Sequence, residues 1–244
     1  MFSFFKRHTP LQDYAILQTD MHSHLIPGID DGAKDMADSL DLLRAMVQLG
    51  FRKVITTPHI MAEYYPNSRE TILQGLAEVK AALAEAEIPV ELEAAAEYMA
   101  DDHFTELLQN KAPLLTLPGK RLLLEFSTFS PPRNIHELLF TLNTQGYKPI
   151  LAHPERYVYY GNQLEKFETI KSMGCSFQLN LLSLTGHYGA PQKKLGIKLL
   201  KAGLIDYLGT DMHRIQHAKI LTKGLKDRKI QHYLRDYIFL NSKL

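Results

Sequence analysis

The sequence predicts an α/β fold built from parallel βα units and closed, or nearly closed, into a barrel. Three observations carry this. Seven short apolar runs alternate with amphipathic stretches from residue 19 to about 212, no low-complexity linker interrupts them, and polar residues recur where each run ends. The 244 residues are 45% hydrophobic, enough to bury one large core. An open doubly wound sheet is the alternative that pattern alone allows. The organisation expected is an N-terminal extension over 1–18 followed by one barrel domain over 19–244, including a C-terminal helix.

Taken in order, the strand segments are LQTDMH (17–22), KVITTPH (53–59), VELEAAAEY (90–98), RLLLEF (121–126), KPILAH (148–153), SFQLN (176–180) and DYLGTD (206–211). Helical spacing falls between them at 35–49, 68–87, 101–110, 134–145, 162–173 and 189–202, with a last helix over 215–238. Gly50, Gly146, Gly174 and Gly203 each follow a helix, where a left-handed C-cap is expected.

Composition narrows the function. Lys and Arg total 28 against 27 acids, for a formal net charge of +1, which argues against a general nucleic-acid binder. The one basic concentration, RIQHAKILTKGLKDRK, is read as a solvated helix with Lys219, Lys223 and Lys226 on one face. A single cysteine, Cys175, excludes an internal disulfide and fits a reducing, cytoplasmic compartment. The opening MFSFFKRHTP is too short for a signal peptide or a membrane span; it is read as an arm on the domain surface, with a peripheral membrane or partner contact as the sharper alternative.

The strand ends carry the chemistry. In TDMHSH, alternate positions put Asp20, His22 and His24 on one face of the first strand, where a barrel core would take Val or Ile. His59 ends the second run, Glu97 the third, Glu125 the fourth, His153 the fifth and Asn180 the sixth; Asp211 and His213 follow the seventh. In a parallel barrel these ends meet at one rim, where active sites of this architecture are built. With Asp31 from the IDDG turn, the candidate ligands are His22, His24, Asp31, His59, Glu97, Glu125, His153, Asp211 and His213. One ion uses about four to six ligands, so nine imply two or three divalent ions sharing carboxylates. Imidazole and carboxylate without thiolate suit Mn²⁺ first, with Fe²⁺, Zn²⁺ and Co²⁺ also accepted. Four carboxylates against three divalent cations leave a positive hole that selects phosphate.

The series HSH, TPH, isolated Glu, isolated Glu, AHPER and DMH resembles the polymerase and histidinol phosphatase (PHP) superfamily of trinuclear metallophosphoesterases. DMHSHLIPGIDDG, TTPHI and LAHPERY together are similar to its branch of bacterial capsular and exopolysaccharide tyrosine-protein phosphatases. The likeness spans about residues 18–215. It implies a distorted (β/α)₇ barrel in which His22, His24, Glu97 and Asp211 hold one metal, Glu97, Glu125 and His153 a second, and Asp31, His59 and His213 a third. It also implies a protein-tyrosine phosphatase acting through a metal-bound hydroxide on a phosphotyrosine protein, the tail of a bacterial tyrosine kinase that regulates polysaccharide synthesis. This chain departs from relatives of that branch in the eighteen residues before its first strand and in Arg214 directly after DMH, with His217 and Lys219 beyond.

Arg156 in HPER is expected to bind the nonbridging phosphate oxygens as a planar fork. Asp211 or His213 could protonate the leaving group. Tyr64 and Tyr157 could stack on a phenyl ring, and Arg214 could complete the phosphate clamp. Cys175 lacks a Cys-x₅-Arg loop and is read as a small buried apolar residue. A small-metabolite phosphatase, for histidinol phosphate or a sugar phosphate, would share every ligand; a DNA exonuclease would need a basic groove; a non-catalytic regulatory barrel would have no reason to keep so many like charges together.

Overall fold

The computed structural model describes residues 9–161 and 163–244; the apolar opening, 1–8, lies outside them. The elements run β1 (Thr19–Asp20), α1 (Met36–Gln48), β2 (Lys53–Thr56), β3 (His59–Ile60), α2 (Arg69–Glu85), β4 (Glu91–Ala94), β5 (Glu97–Met99), α3 (Asp102–Gln109), β6 (Arg121–Glu125), α4 (Ile135–Thr144), β7 (Lys148–Ala152), α5 (Leu164–Ser172), β8 (Ser176–Asn180), α6 (Leu181–Thr185), α7 (Ala190–Lys201), β9 (Tyr207–Gly209), α8 (Ile215–Gly224) and α9 (Arg228–Asp236). All strand pairs are parallel, in the orders β1-β2-β4 and β3-β5-β6-β7-β8-β9. They form the seven expected staves, two of them broken in the middle. At Thr57-Pro58 the ring nitrogen has no hydrogen to give, and the Thr57 N–H leaves the ladder to reach the Ser23 carbonyl at 2.6 Å. The next stave breaks beside it at Ala95-Ala96.

Side chains and one bridge close the ring between the last stave and the first. Asn241, fully buried, donates to Thr19 O (3.0 Å) and Leu208 O (2.7 Å) and accepts the Leu208 N–H (3.0 Å). Asp20 accepts the Thr210 N–H (2.8 Å) and hydroxyl (3.1 Å), and a parallel bridge joins Ser23 to Met212 above it. The barrel interior holds Met21, Ile55, Ala95, Leu123, Ile150, Ala152 and Tyr207, all buried, while the larger apolar cluster lies between staves and helices.

Local chemistry sets the helix ends. Asp35, Ser68 and Asp101 cap α1, α2 and α3, Ser68 in a reciprocal capping box with Thr71. The helix expected over 215–238 is two helices. A Cβ at Gly224 would lie 2.9 Å from Thr185 Cγ2, so α8 can close onto α6 only with glycine there, and Asp227 then caps a new helix. Lys226 therefore falls in the break and does not extend the Lys219–Lys223 face. Of the expected extension, Tyr14 and Leu17 are buried in the outer cluster, and Tyr14 donates to Leu221 O at 2.9 Å. Among the described residues no helix is long and apolar enough to cross a membrane.

Candidate metal centre

The nine predicted ligands meet at the rim. His22 Nε2 lies 3.2 Å from Glu97 Oε2 and 3.4 Å from Asp211 Oδ1, and His24 Nε2 lies 3.5 Å from each. His153 Nε2 is 3.1 Å from Glu97 Oε1 and 3.5 Å from Glu125 Oε1. Asp31 Oδ1 is 3.3 Å from His213 Nε2 and 3.6 Å from His59 Nε2, while His59 Nδ1 turns inward to Glu97 Oε2 at 3.2 Å. Ligand atoms about 2.1 Å from one ion are about 3.0–3.4 Å apart at octahedral to tetrahedral angles, so this spacing fits shared cations. The buried atoms His22 Nε2, His24 Nε2, His59 Nδ1 and Glu97 Oε2 make no hydrogen bond, although buried polar atoms ordinarily do. These residues could hold divalent ions in overlapping groups, with Glu97 central.

Neighbours fix which nitrogen three of the five imidazoles present. His22 Nδ1 lies 2.9 Å from Gln178 Oε1, an oxygen that also accepts the His153 N–H. His24 Nδ1 lies 2.8 Å from Asp30 Oδ2, and His213 Nδ1 lies 2.9 Å from the Asp211 carbonyl. Each partner only accepts, so the Nδ1 positions carry the hydrogens and the Nε2 lone pairs face the centre. Asp30 also accepts the His59 N–H (3.1 Å) and the Gly32 N–H (3.0 Å). Gly32 can only be glycine, because a Cβ there would lie 2.2 Å from His24 O. His153 (φ 32°) and Asp211 (φ 50°) sit in the left-handed region directly after their staves, a strain on the order of 1–3 kcal/mol each that turns both side chains to the rim.

The electrostatics describe a centre short of positive charge. Burial opposes charging His22, yet Glu97 and Asp211 beside it outweigh that and raise its pKa to about 9; His24 is raised as well, burial again opposing and Asp30 leading the rise. Protons there do what cations would do. Burial lowers His59 and His153 to about 4, and burial, then the charge of Glu97, pushes Glu125 well above the usual carboxylate range.

Among the other predicted residues, Arg156 faces the centre, with Nη1 3.3 Å from Asp211 Oδ2 and its guanidinium 5.0 Å over the ring of Tyr188. Arg156 and Arg214 line the same cavity of about 270 Å³ as seven of the nine ligands, all but His22 and His24. Two expectations are corrected. Tyr157 is no ring wall: it is fully buried, its hydroxyl donating to Ala152 O (3.0 Å) and accepting the Phe126 N–H (2.9 Å). Asp211 is no proton donor: burial opposes its charge, but His22 and His213 beside it hold its carboxyl well below the ordinary range, and Oδ2 is already engaged by Arg156 and by Asn180 Nδ2 at 2.8 Å. Tyr64 is exposed beside the centre, and Tyr65 stacks on His59 at 5.4 Å. Sequence reasoning missed Asp30, Gln178 and Tyr188. Burial pushes the Cys175 thiol up to about 12, leaving no thiolate to attack phosphate.

A seven-stave parallel barrel with imidazoles and carboxylates converging at one rim defines a metallophosphoesterase barrel of the PHP type. The chain belongs to the CpsB/CapC family of capsular polysaccharide synthesis, whose model matches residues 18–238. It is 29% identical over 197 residues to tyrosine-protein phosphatase YwqE of Bacillus subtilis, covering 81% of this chain and 78% of that one. It is 28% identical over 218 residues to the putative tyrosine-protein phosphatase CapC of Staphylococcus aureus, covering 89% and 86%. It also superposes, with a TM-score of 0.77 and 27% identity over 91% of this chain and 96% of the other, on a crystal structure from the pair YwqE of B. subtilis and CpsB of Streptococcus pneumoniae, described as unique metal-dependent tyrosine phosphatases. A lactonase from Listeria monocytogenes shares the fold alone, at 10% identity and a TM-score of 0.52.

Proposed function

We propose that this chain is a metal-dependent protein-tyrosine phosphatase that acts in the cytoplasm on a phosphotyrosine protein, the tail of a tyrosine kinase controlling capsular or exopolysaccharide synthesis. The observation that carries the reading is the set of buried, unbonded atoms of His22, His24, His59 and Glu97 converging around Glu97, which with His59 and Arg156 lines one cavity. His22, His24, Glu97 and Asp211 would hold one ion, Glu97, Glu125 and His153 a second, and Asp31, His59 and His213 a third, with Mn²⁺ the first choice. Such ions, when bound, supply Lewis acidity and activate water as a nucleophile near neutral pH.

The chain's own residues do the rest. Arg156 turns from Asp211 Oδ2 to two nonbridging phosphate oxygens, and its position over Tyr188 limits the rotamers it must give up. Arg214, exposed at the start of α8, reaches the same phosphate from the far side. Phenolate leaves readily, so no strong protein acid is needed, which suits His213 as a ligand rather than the proton donor the sequence suggested, and Tyr64 beside the centre offers a face to the departing ring. When Arg156 turns to phosphate, Asp211 Oδ2 keeps its hydrogen bond from Asn180 Nδ2, so the carboxylate stays in place to help hold an ion.

The test compares free phosphotyrosine, a phosphoserine peptide and histidinol phosphate. Turnover of phosphotyrosine that a strong chelator abolishes and Mn²⁺ restores is expected. Full activity in protein shown metal-free by elemental analysis overturns the mechanism, and preference for histidinol phosphate makes the chain a small-molecule phosphatase.

A further inference from the structure

A second cavity, about 670 Å³, opens from the metal centre and shares Asp31, His59, Glu125 and Arg156 with it. It runs between the loop after β3 and the loop after β6, lined by Glu63, Tyr64, Asp102 and Phe129. Among the described residues three aromatic side chains are strongly exposed, Tyr64 at 71%, Phe129 at 93% and Phe140 at 70%, and two of the three line this one cleft. Large exposed aromatic surface beside a reaction centre is the composition of a protein-recognition site.

Charge gives the cleft a direction. Asp101 is consumed as the cap of α3 and as acceptor for the Ala62 N–H, whereas Glu63 and Asp102 are exposed and form no ion pair among the described residues. Arg156, the cleft's one Arg or Lys, is drawn to Asp211. On the opposite side of the centre the first cavity is lined by Arg214, and Lys34 stands beyond it beside Asp31 and Asp38. A polypeptide crossing the rim thus meets an acidic, aromatic side with no free cation of its own among the described residues and, across the centre, Arg214.

We propose that the cleft between Glu63 and Phe129 is the specificity subsite for the polypeptide that carries the phosphotyrosine, taking a segment with a basic and an apolar side chain on one flank of that tyrosine. This rests on the phosphatase reading given above. Tyr64 and Phe129 would enclose the apolar side chain, and Glu63 with Asp102 would face the basic one.

The test uses the metal-loaded protein and four substrates: free phosphotyrosine, a phosphotyrosine peptide with Lys and Leu placed N-terminal to it, one with them C-terminal, and one with Glu and Gly on both flanks. We expect one of the two Lys/Leu peptides to exceed the Glu/Gly peptide in kcat/KM by about five- to fiftyfold, the range that an exposed charge pair plus one anchored apolar side chain provides. Raising the salt concentration should shrink that ratio. The double variant E63K/F129A, altered at two exposed positions, should lose the preference while its turnover of free phosphotyrosine stays within about twofold. Equal kcat/KM for all three peptides, or a preference that survives in the double variant, overturns the subsite while leaving the phosphatase intact. Failure to turn over free phosphotyrosine overturns the phosphatase and the subsite together.

Discussion

Asp30→Asn should weaken metal binding about 10- to 100-fold without unfolding the barrel. Asp30 Oδ2 receives two hydrogens, from His24 Nδ1 at 2.8 Å and from the His59 N–H at 3.1 Å, and Oδ1 receives the Gly32 N–H at 3.0 Å. An amide in its place can keep an oxygen toward His24 and His59 only by turning its NH₂ onto the Gly32 N–H. One hydrogen bond is then lost and two fall from charge-assisted to neutral strength, about 1 kcal/mol for each change. The sum, roughly 2–3 kcal/mol, corresponds to the affinity loss usual when the partner behind a ligating imidazole is removed, about 10- to 100-fold. The assay is a competition titration of Mn²⁺ between protein and a chelator of known affinity, with elemental analysis after dialysis and circular dichroism to verify the fold. Asp35→Ala is the control: it removes the cap of α1, a loss of about 1 kcal/mol in stability, but touches no ligand. Metal affinity within twofold of the parent for Asp30→Asn, or an equal loss for Asp35→Ala, refutes the reasoning.

Arg156→Lys should retain the metals and lose about ten- to a thousandfold in kcat/KM, because a point charge cannot grip two phosphate oxygens, a loss of roughly 1.4–4 kcal/mol. Unchanged kinetics with unchanged vanadate affinity would make Arg156 a structural residue. Asp20→Asn should stabilise the metal-free protein at pH 8 but not near pH 4. Burial raises Asp20 from 3.8 to about 7 against the hydrogen bonds from Thr210, so between those values the folded chain holds a proton that the unfolded chain releases, and stability falls as pH rises through the window. The asparagine can donate to Thr210 Oγ1 and accept the Thr210 N–H without any charge, recovering on the order of 2–4 kcal/mol at pH 8. Urea unfolding of chelated protein at both pH values measures it; equal differences between parent and variant at pH 4 and pH 8 would sink the claim.

What could be read from the chain alone follows from which residues are chemically out of place. His22, His59, Glu97, Glu125 and His153 stand at the ends of apolar runs, where five such residues together point to a site, so the seven staves and the residues that meet at the rim were legible. Asp30 was hidden because it adjoins Asp31 in a turn that favours aspartate for local reasons; only the fold shows its side chain turned inward to His24. Gln178 was hidden because a glutamine inside SFQLN looks like ordinary strand polarity. Tyr188 lies in the connection after α6, a five-residue helix too short to show helical period. Tyr157 was misplaced because aromatic character says nothing about which way a loop turns, and the turn at Pro154–Arg156 drives that ring into the core. The breaks at Thr57-Pro58 and Ala95-Ala96 involve residues that a continuous strand also tolerates at an edge, so the pattern alone joined what the fold divides.

The seam between the first and last staves governs how the molecule is assembled. Thr210 meets Asp20 across 190 residues of chain, and Asn241 meets Thr19 across 222. During synthesis His22 and His24 emerge early and wait on the open edge of an incomplete sheet, and their counterparts Asp211 and His213 arrive only after every other stave is in place. Contacts of such sequence separation form late and slowly. An ion held by both His22 and Asp211, as proposed above, would also clip the last gap to close, stabilising the closed ring by its own binding free energy. Maturation and metal acquisition would then be one event, and a molecule stripped of ions should open first along this line, exposing the edges of β1 and β9 to pairing with other chains.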